Sequence, residues 1–97
     1  MKVRYTRRAF NDREAIYDFL QERSPNGAIN VQRAILNTIH ALRSYPRLGQ
    51  RTEFADVYEL TVPRYAYKVY YRLEGDEVWI LHIRDARRRP LQERDLP

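Results

Sequence analysis

Hydrophobic and polar positions along the first half of the chain predict one short strand and two helices. Val3 and Tyr5 alternate with polar residues, which is the period of a half-buried strand. Residues 7–23 have helical spacing, and Thr6 is placed to cap this first helix. The apolar positions are Ala9, Ile16, Phe19 and Leu20 in the first helix, and Ala28, Val31, Ile35, Leu36, Ile39 and Leu42 in the second. The turn at residues 24–27 is so short that it favours a helical hairpin.

Three strands are predicted in the second half of the chain, over residues 56–62, 64–73 and 78–89. They follow a loop from about residue 45 to residue 54, and the turn at residues 74–77 should pair the last two strands as a hairpin. By alternation, one side of these strands is apolar, with Tyr58, Leu60, Val62, Tyr65, Tyr67, Val69, Tyr71, Leu73, Trp79, Leu81 and Ile83. The other side is polar and largely cationic, with Glu59, Thr61, Arg64, Lys68, Tyr70, Arg72, His82 and Arg84.

These elements predict one α+β domain over residues 1–97, in the order β-α-α-β-β-β. We expect the helical hairpin to pack on the apolar side of a twisted antiparallel sheet, because 97 residues suffice for one such core but not for two. Residues 85–97 follow the last strand and are termed the C-terminal segment. That segment is basic.

The charge of the chain points to an anionic partner. Eighteen basic residues face 13 acidic ones, for a net charge of +5. Lys2 and Lys68 are the only lysines, so the other basic residues are all arginine, the side chain best suited to bidentate contact with phosphate or carboxylate. Nucleic acid or an acidic protein is therefore the expected partner, and a merely solvated basic surface is the alternative.

Composition also excludes several kinds of site. The absence of cysteine rules out disulfides and thiolate metal sites, and His40 and His82 do not form a metal centre by themselves. We expect neither a metal nor a cofactor. No stretch of about 18 apolar residues occurs, and the first residues do not resemble a secretion signal, so we expect a soluble cytoplasmic protein without membrane contact.

The cationic side of the sheet, with the arginines that follow it, is the candidate binding surface. Its expected target-binding residues are Arg64, Lys68, Tyr70, Arg72, Arg84, Arg87, Arg88 and Arg89. Such a surface suits a phosphate backbone, and Tyr70 offers a ring on which a base would stack. The pattern equally fits the wet face of an antiparallel sheet. His82 and Glu53 are candidates for proton transfer, and a structural histidine and a solvated loop carboxylate are the alternatives.

Several short motifs, in this order and spacing, resemble the RelE/ParE superfamily of bacterial type II toxins over about residues 2–90. They are Ala9-x-x-Asp12, Phe19-Leu20, Ile35, Leu42-x-x-x-Pro46-x-x-Gly49, Tyr67-Lys68-Val69-Tyr70-Tyr71 and Val78-x-Ile80-Leu81-x-Ile83-x-x-x-Arg87. The resemblance implies a toxin that a cognate antitoxin neutralises. RelE-like members cleave messenger RNA in the ribosome, whereas ParE-like members poison DNA gyrase.

The resemblance also implies roles for single residues. Lys68 matches the strand arginine of the family's Tyr-Arg-x-x-Tyr pattern, and Arg87 matches the C-terminal catalytic arginine of the nuclease branch. In a nuclease, the catalytic residues would come from the set Lys68, Arg87, His82 and Glu53. In helix one, Arg13 stands where the family usually has an apolar residue, and we expect it to mark a partner-binding position.

Departures from the nuclease pattern favour the gyrase branch. Glu59 and Thr61 stand where RelE-like members have a Lys-x-Lys pair, and a carboxylate there would repel the scissile phosphate. The C-terminal tyrosine of that branch is also missing. We therefore expect a ParE-like inhibitor of DNA gyrase. The alternatives are a ribosome-dependent mRNA endoribonuclease and a basic interaction domain without toxicity.

Overall fold

The computed structural model describes every residue from Met1 to Pro97 and contains two helices packed on one five-stranded sheet. Helix α1 spans Arg7–Gln21 and α2 spans Pro25–Ala41. The strands are β1 Lys2–Tyr5, β2 Gln50–Arg51, β3 Tyr58–Thr61, β4 Tyr67–Glu74 and β5 Glu77–Asp85, and a 3-10 turn covers Glu93–Asp95. The predicted α+β fold, a helical hairpin on a sheet, is confirmed.

The sheet is mixed, which corrects the expectation of a wholly antiparallel one. Its strand order is β1-β5-β4-β3-β2, and β1 runs parallel to β5 at one edge while the other pairs are antiparallel. Hydrophobic alternation identifies the buried face of a strand. It does not show whether a strand runs parallel or antiparallel to its neighbour, because the pattern is the same in both cases. Strand β2 was not predicted and lies within the expected loop. Two residues are too few to show the alternation of a strand.

Helix α1 begins after its predicted cap, whereas α2 begins at Pro25, within the stretch of residues 24–27 that was expected to be a turn. The Thr6 hydroxyl accepts a hydrogen bond from the N–H of Ala9 at 3.1 Å, and the Ser24 hydroxyl accepts one from Gly27 at 3.1 Å. Each satisfies an amide that has no partner within its helix. Pro25 occupies the first turn of α2, where its missing N–H is not needed. These caps fix the hairpin that covers one face of the sheet.

The main core lies between the helices and the sheet. Its buried members are Ala9, Val31, Ile35, Ile39, Leu42, Tyr58, Val62, Val69, Tyr71, Val78, Ile80 and Ile83. The helical positions among them agree with the predicted apolar faces. Phe19 and Leu36 differ, since they are 55% and 38% exposed and lie outside this core.

A β-bulge in β5 changes which residues face the helices. Tyr70 pairs with His82, and its neighbour Tyr71 pairs with Ile80, so Leu81 is the extra residue. Strict alternation had placed Trp79 and Leu81 on the helix-covered side with Ile83, and this prediction is wrong for both. They pack on the opposite face of the sheet, because the bulge shifts the alternation by one residue between Ile80 and Ile83.

That opposite face, predicted to be polar, carries a second and smaller core. Val57, Tyr70 and Leu81 are buried there. The residues that pack around them are Phe54, Trp79, Leu91 and Leu96. The last two belong to the C-terminal segment, which therefore folds back over the sheet. Both faces of the sheet are covered, so the cationic residues lie around an apolar cluster rather than on an open plane.

Tyr71 ties the loop before β2 to the main core. Its hydroxyl donates to the carbonyl of Pro46 at 2.8 Å and accepts from the N–H of Gly49 at 2.9 Å, while its ring stacks on Tyr58. Glycine is required at position 49, because a Cβ atom there would lie 2.7 Å from the carbonyl oxygen of Glu59. One buried hydroxyl thus fixes the approach to β2.

We predict that Tyr71→Phe destabilises the fold by about 1–3 kcal/mol, since it leaves the half-buried backbone groups of Pro46 and Gly49 without this partner. Urea unfolding measures this change in free energy. The matched control is Tyr45→Phe, which removes a hydroxyl from a residue that is 67% exposed. Equal costs for the two variants would contradict this role of Tyr71.

Candidate functional site

The C-terminal segment is held to the sheet by a buried ion cluster centred on Asp95. Arg89 contacts the Asp95 carboxylate through two nitrogens, at 2.8 Å and 2.6 Å. Arg84, which is only 8% exposed, approaches the same carboxylate at 3.5 Å and donates to the carbonyl of Arg89 at 2.8 Å. The N–H of Gln92 also donates to Asp95, at 2.8 Å. One carboxylate therefore pairs with two of the arginines predicted to bind a target and offsets one of their two positive charges.

These contacts determine the ionisation of Asp95. The side chain of Arg89 and the N–H of Gln92 hold the pKa of its carboxyl well below the usual range, against the opposing effect of burial. Hydrogen bonds to the charged form favour that form. Asp95 is therefore ionised whenever the segment is docked near neutral pH.

A second carboxylate organises the start of the segment. Asp85 accepts hydrogen bonds from the backbone N–H and the guanidinium of Arg87, with side-chain distances of 3.1 Å and 2.8 Å. The bonds from Arg87 lower the pKa of Asp85 to about 2. Arg87 is exposed but already paired, and its neighbour Arg88 is exposed without any side-chain partner.

Lys68 and Tyr70 both lie next to Glu59. The Lys68 amine contacts the Glu59 carboxylate at 2.7 Å. Burial, together with the nearby charge and hydrogen bond of Glu59, raises the pKa of Tyr70 to about 12. Tyr70 is 4% exposed and stacks on His82 with ring centroids 6.0 Å apart. In this conformation its ring has no open face on which a base could stack.

A groove of about 420 Å³ lies between the loop after β2 and the C-terminal segment. We call it the basic groove. Its lining includes Arg51, Glu53, Glu59, Lys68, Tyr70, Arg84, Arg88 and Arg89. It brings together five of the predicted target-binding residues, namely Lys68, Tyr70, Arg84, Arg88 and Arg89. Three of their cationic groups are already paired with a carboxylate, so the groove is less positive than the sequence alone indicates.

The other predicted residues lie outside this groove. Arg64 is exposed in the turn between β3 and β4, with a positive φ of 73°. Arg72 lies 3.7 Å from Glu74 and lines a separate groove with Glu93 and Leu96. The cationic face is thus divided rather than continuous.

His82 forms a structural tie between β5 and α1. Its Nδ1 lies 2.6 Å from the Asp12 carboxylate, which also accepts the N–H of Ile83 at 3.0 Å. Burial acts to raise the pKa of Asp12, but the hydrogen bonds from His82 and Ile83 outweigh it and lower that pKa. Glu53, the other proposed proton carrier, is exposed in the basic groove and makes no ion pair with His82.

The side chain of Arg13, in α1, reaches the edge strand β1. Its guanidinium stands 5.0 Å from the ring centre of Tyr5 and 5.7 Å from that of Phe10, and it donates to the Tyr5 hydroxyl. Arg13 is half-buried there, and its role in binding a partner stays a prediction.

The sequence did not predict the roles of Asp12 and Asp95: Asp12 was identified only as part of the motif Ala9-x-x-Asp12, and Asp95 was not identified at all. The position of Asp95 could have been inferred from Leu91 and Leu96 on either side of it. Apolar residues that follow a run of arginine indicate that this part of the chain packs on the domain. For Asp12 no local signal exists, because its partner in β5 is 70 residues away.

Comparison with known proteins decides the family. The family described as "ParE toxin of type II toxin-antitoxin system, parDE" matches residues 3–90. The chain belongs to the ParE toxin family. A solved structure titled "Chromosomal ParDE TA system from P. aeruginosa" is similar to it, with 29% sequence identity and a TM-score of 0.77. That similarity covers 86% of this chain and 92% of the other.

This result confirms the resemblance to the RelE/ParE superfamily and the prediction of a ParE-like toxin of a type II toxin–antitoxin system. None of the curated proteins matches the chain. No helix of the toxin is long and apolar enough to cross a membrane. No group of three or more histidine, aspartate or glutamate side chains is placed to hold a metal ion.

We predict that Asp95 makes the stability of the toxin sensitive to acid. An unfolded aspartate has a pKa of about 4, and the folded value is lower, so the stabilisation is present above about pH 4 and is lost as the pH falls through the folded pKa. Urea unfolding between pH 6 and pH 2.5 should show a steeper loss of stability for wild type than for Asp95→Asn.

Asp18→Asn is the matched control, because Asp18 is an exposed carboxylate of α1 without an ion pair. It should keep the wild-type dependence on pH. An equally steep acid loss in Asp95→Asn would contradict the assignment to Asp95.

Proposed function

We propose that the toxin acts in the cytoplasm by inhibiting DNA gyrase, and that a cognate antitoxin neutralises it. The observation that carries the choice of target is the pairing of cations in the basic groove. Lys68 is bound to Glu59, and Arg84 is bound to Asp95. Arg89 is bound to Asp95 as well.

This pairing argues against cleavage of messenger RNA. A nuclease of this fold would use preorganised cations to stabilise the charge that develops on the phosphate. Here the amine of Lys68 lies 2.7 Å from a carboxylate, which would face an incoming phosphate together with it. Repulsion from Glu59 opposes the attraction to Lys68, so the groove attracts a phosphate less strongly than a nuclease site would.

The candidate bases also lack the arrangement that proton transfer requires. His82 is buried and hydrogen-bonded to Asp12. Glu53 lines the basic groove, which His82 does not, and its side chain has no hydrogen-bond partner. Neither forms a linked pair with Lys68 or Arg87. Arg87, which matches the catalytic arginine of the nuclease branch, is instead paired with Asp85.

Similarity supports the same target class. The chain matches the ParE family over most of its length and resembles a structure from a ParDE system. ParE-like members of the superfamily poison gyrase, and the residues required by the nuclease branch are either replaced or paired. A basic interaction domain without toxicity is the remaining alternative, and it predicts no growth arrest.

The outer surface of the helical hairpin is the proposed docking site for the antitoxin. Ile29 and Leu36 lie seven residues apart on one side of α2 and are 46% and 38% exposed. Phe10 and Phe19 are exposed on α1. Ile29 and Leu36 thus expose two large apolar side chains on one side of α2, whereas Phe10 and Phe19 lie on opposite sides of α1. Exposed apolar side chains on one side of a helix indicate a protein interface, and the net charge of +5 suits an acidic partner.

We predict that Leu36→Asp weakens antitoxin binding by at least about tenfold, because it places a carboxylate where the partner would bury a methyl group. Asn37→Asp is the matched control, since it adds the same charge at the adjacent exposed position on another side of α2. Binding should be measured by calorimetry with the antitoxin encoded beside the toxin. Undiminished affinity of Leu36→Asp would place the interface elsewhere.

We also predict that the purified toxin inhibits supercoiling by gyrase or traps cleaved DNA, and that the antitoxin reverses the effect. Ribosomal cleavage of messenger RNA should be at least about 100-fold slower than that of a RelE-like nuclease, because loss of one preorganised contact reduces a rate by about that factor. Both assays should use one preparation. Rapid cleavage at the ribosome without any effect on gyrase would contradict the proposed target, and absence of growth arrest would favour the non-toxic alternative.

A further inference from the structure

Among the arginines at positions 84 to 89, Arg88 alone has a guanidinium without an internal partner. Arg84 and Arg89 contact Asp95, and Arg87 contacts Asp85. Arg88 is exposed and makes no side-chain hydrogen bond or ion pair. The segment therefore keeps three of these cations for its own structure and presents one.

The backbone that carries Arg88 is anchored on both sides. The N–H of Ala86 donates to the carbonyl of Ala66, and the N–H of Arg88 donates to the carbonyl of Asp85 at 3.3 Å. On the other side, Arg89 is locked to Asp95. Two carboxylates thus bracket a short loop and fix the backbone from which the side chain of Arg88 projects.

Arg88 also stands at the boundary of two concave surfaces. It lines the basic groove and a second groove of about 430 Å³ that lies between α1 and the C-terminal segment. A partner that enters either groove meets this side chain. Arg94, by comparison, is equally unpaired in the same segment but lines neither groove.

We infer that Arg88 binds a carboxylate on the surface of gyrase, and that Asp95 is the positioning residue that presents it. This inference rests on the proposed gyrase target and names the contact within it. A guanidinium forms two parallel hydrogen bonds with a carboxylate, and a contact of this kind at the centre of an interface contributes much of the affinity. Asp95 acts through Arg89, which immediately follows Arg88, and does not itself touch the target.

A protein carboxylate fits better than a DNA phosphate. Duplex DNA is bound through many cations, because each neutralised phosphate contributes one released counterion. In this segment and the adjoining groove, Lys68, Arg84, Arg87 and Arg89 are already paired with Glu59, Asp85 or Asp95. Of the cations there that keep no carboxylate partner, Arg51, Arg88 and Arg94, only Arg88 lines both grooves. So few unpaired cations suit one specific partner group rather than a polyanion.

The test compares Arg88→Ala and Arg88→Lys with the control Arg94→Ala in the supercoiling assay. Arg88→Ala should require about 30-fold more toxin for half-inhibition, as expected when one partner of a charge pair is removed. Arg88→Lys should recover only part of this loss, since an ammonium does not form the paired hydrogen bonds. Arg94→Ala should stay within about threefold of wild type, and all three should bind the antitoxin normally.

The role of Asp95 is tested by a double-mutant cycle. Asp95→Asn should reduce inhibition, and the Asp95→Asn, Arg88→Ala double variant should be no worse than Arg88→Ala alone, because both changes remove the same contact. Additive losses would show a structural effect unrelated to Arg88 and would overturn the positioning role. Arg89→Gln, which leaves the pair of Arg84 and Asp95 in place, gives a second variant for the same cycle.

Distinct outcomes separate this inference from the proposed target. Wild-type toxin that leaves gyrase active overturns the proposed function itself. Inhibition by wild type with undiminished inhibition by Arg88→Ala overturns only the inference. Saturable binding of the toxin alone to a linear DNA duplex at 150 mM salt, lost in Arg88→Ala, would identify the partner group as phosphate and would also overturn it.

Discussion

The ion cluster formed by Arg84, Arg89 and Asp95 closes the second face of the sheet. Arg84 is buried at the end of β5, and a buried guanidinium without a counter-charge destabilises a protein by about 3–5 kcal/mol. Asp95 supplies that charge from the far end of the chain. Its position requires the C-terminal segment to cross the sheet, where Leu91 and Leu96 cover the second core. Docking of the C-terminal segment therefore both covers the second core and supplies the counter-charge of Arg84.

This arrangement changes the meaning of the arginine-rich sequence. Six residues at the end of β5 include four arginines, which suggests a surface for a polyanion, but three of the four are held by Asp85 and Asp95. The basic groove is therefore a structured surface with a defined pattern of hydrogen bonds. Such a surface favours recognition of one partner protein over general attraction to nucleic acid. The ParE family membership is consistent with that conclusion.

Much of the fold could be predicted from local sequence, whereas the ion pairs of the site could not. The cap at Thr6, the turn residues 24–27 and the periodicity of both helices predicted the hairpin, because these signals act over a few residues of chain. The faces of β5 were partly wrong, since the bulge at Leu81 has no signature in a period-2 pattern. Pairing of Asp12 with His82, and of Asp95 with Arg84, depends on how distant segments meet in three dimensions. Charge counts alone do not show which arginines are already paired.

The most direct test of this account is native-state hydrogen exchange of the amide of Gln92, which donates to Asp95. If the C-terminal segment is part of the folded domain, this amide should be protected by a factor of at least about 1000 in wild type. In Asp95→Asn the protection should disappear at Gln92 but persist in the core of the sheet, for example at Val69. An unprotected Gln92 amide in the wild-type toxin would contradict the account, because the arginines would then be free in solution rather than held by Asp95.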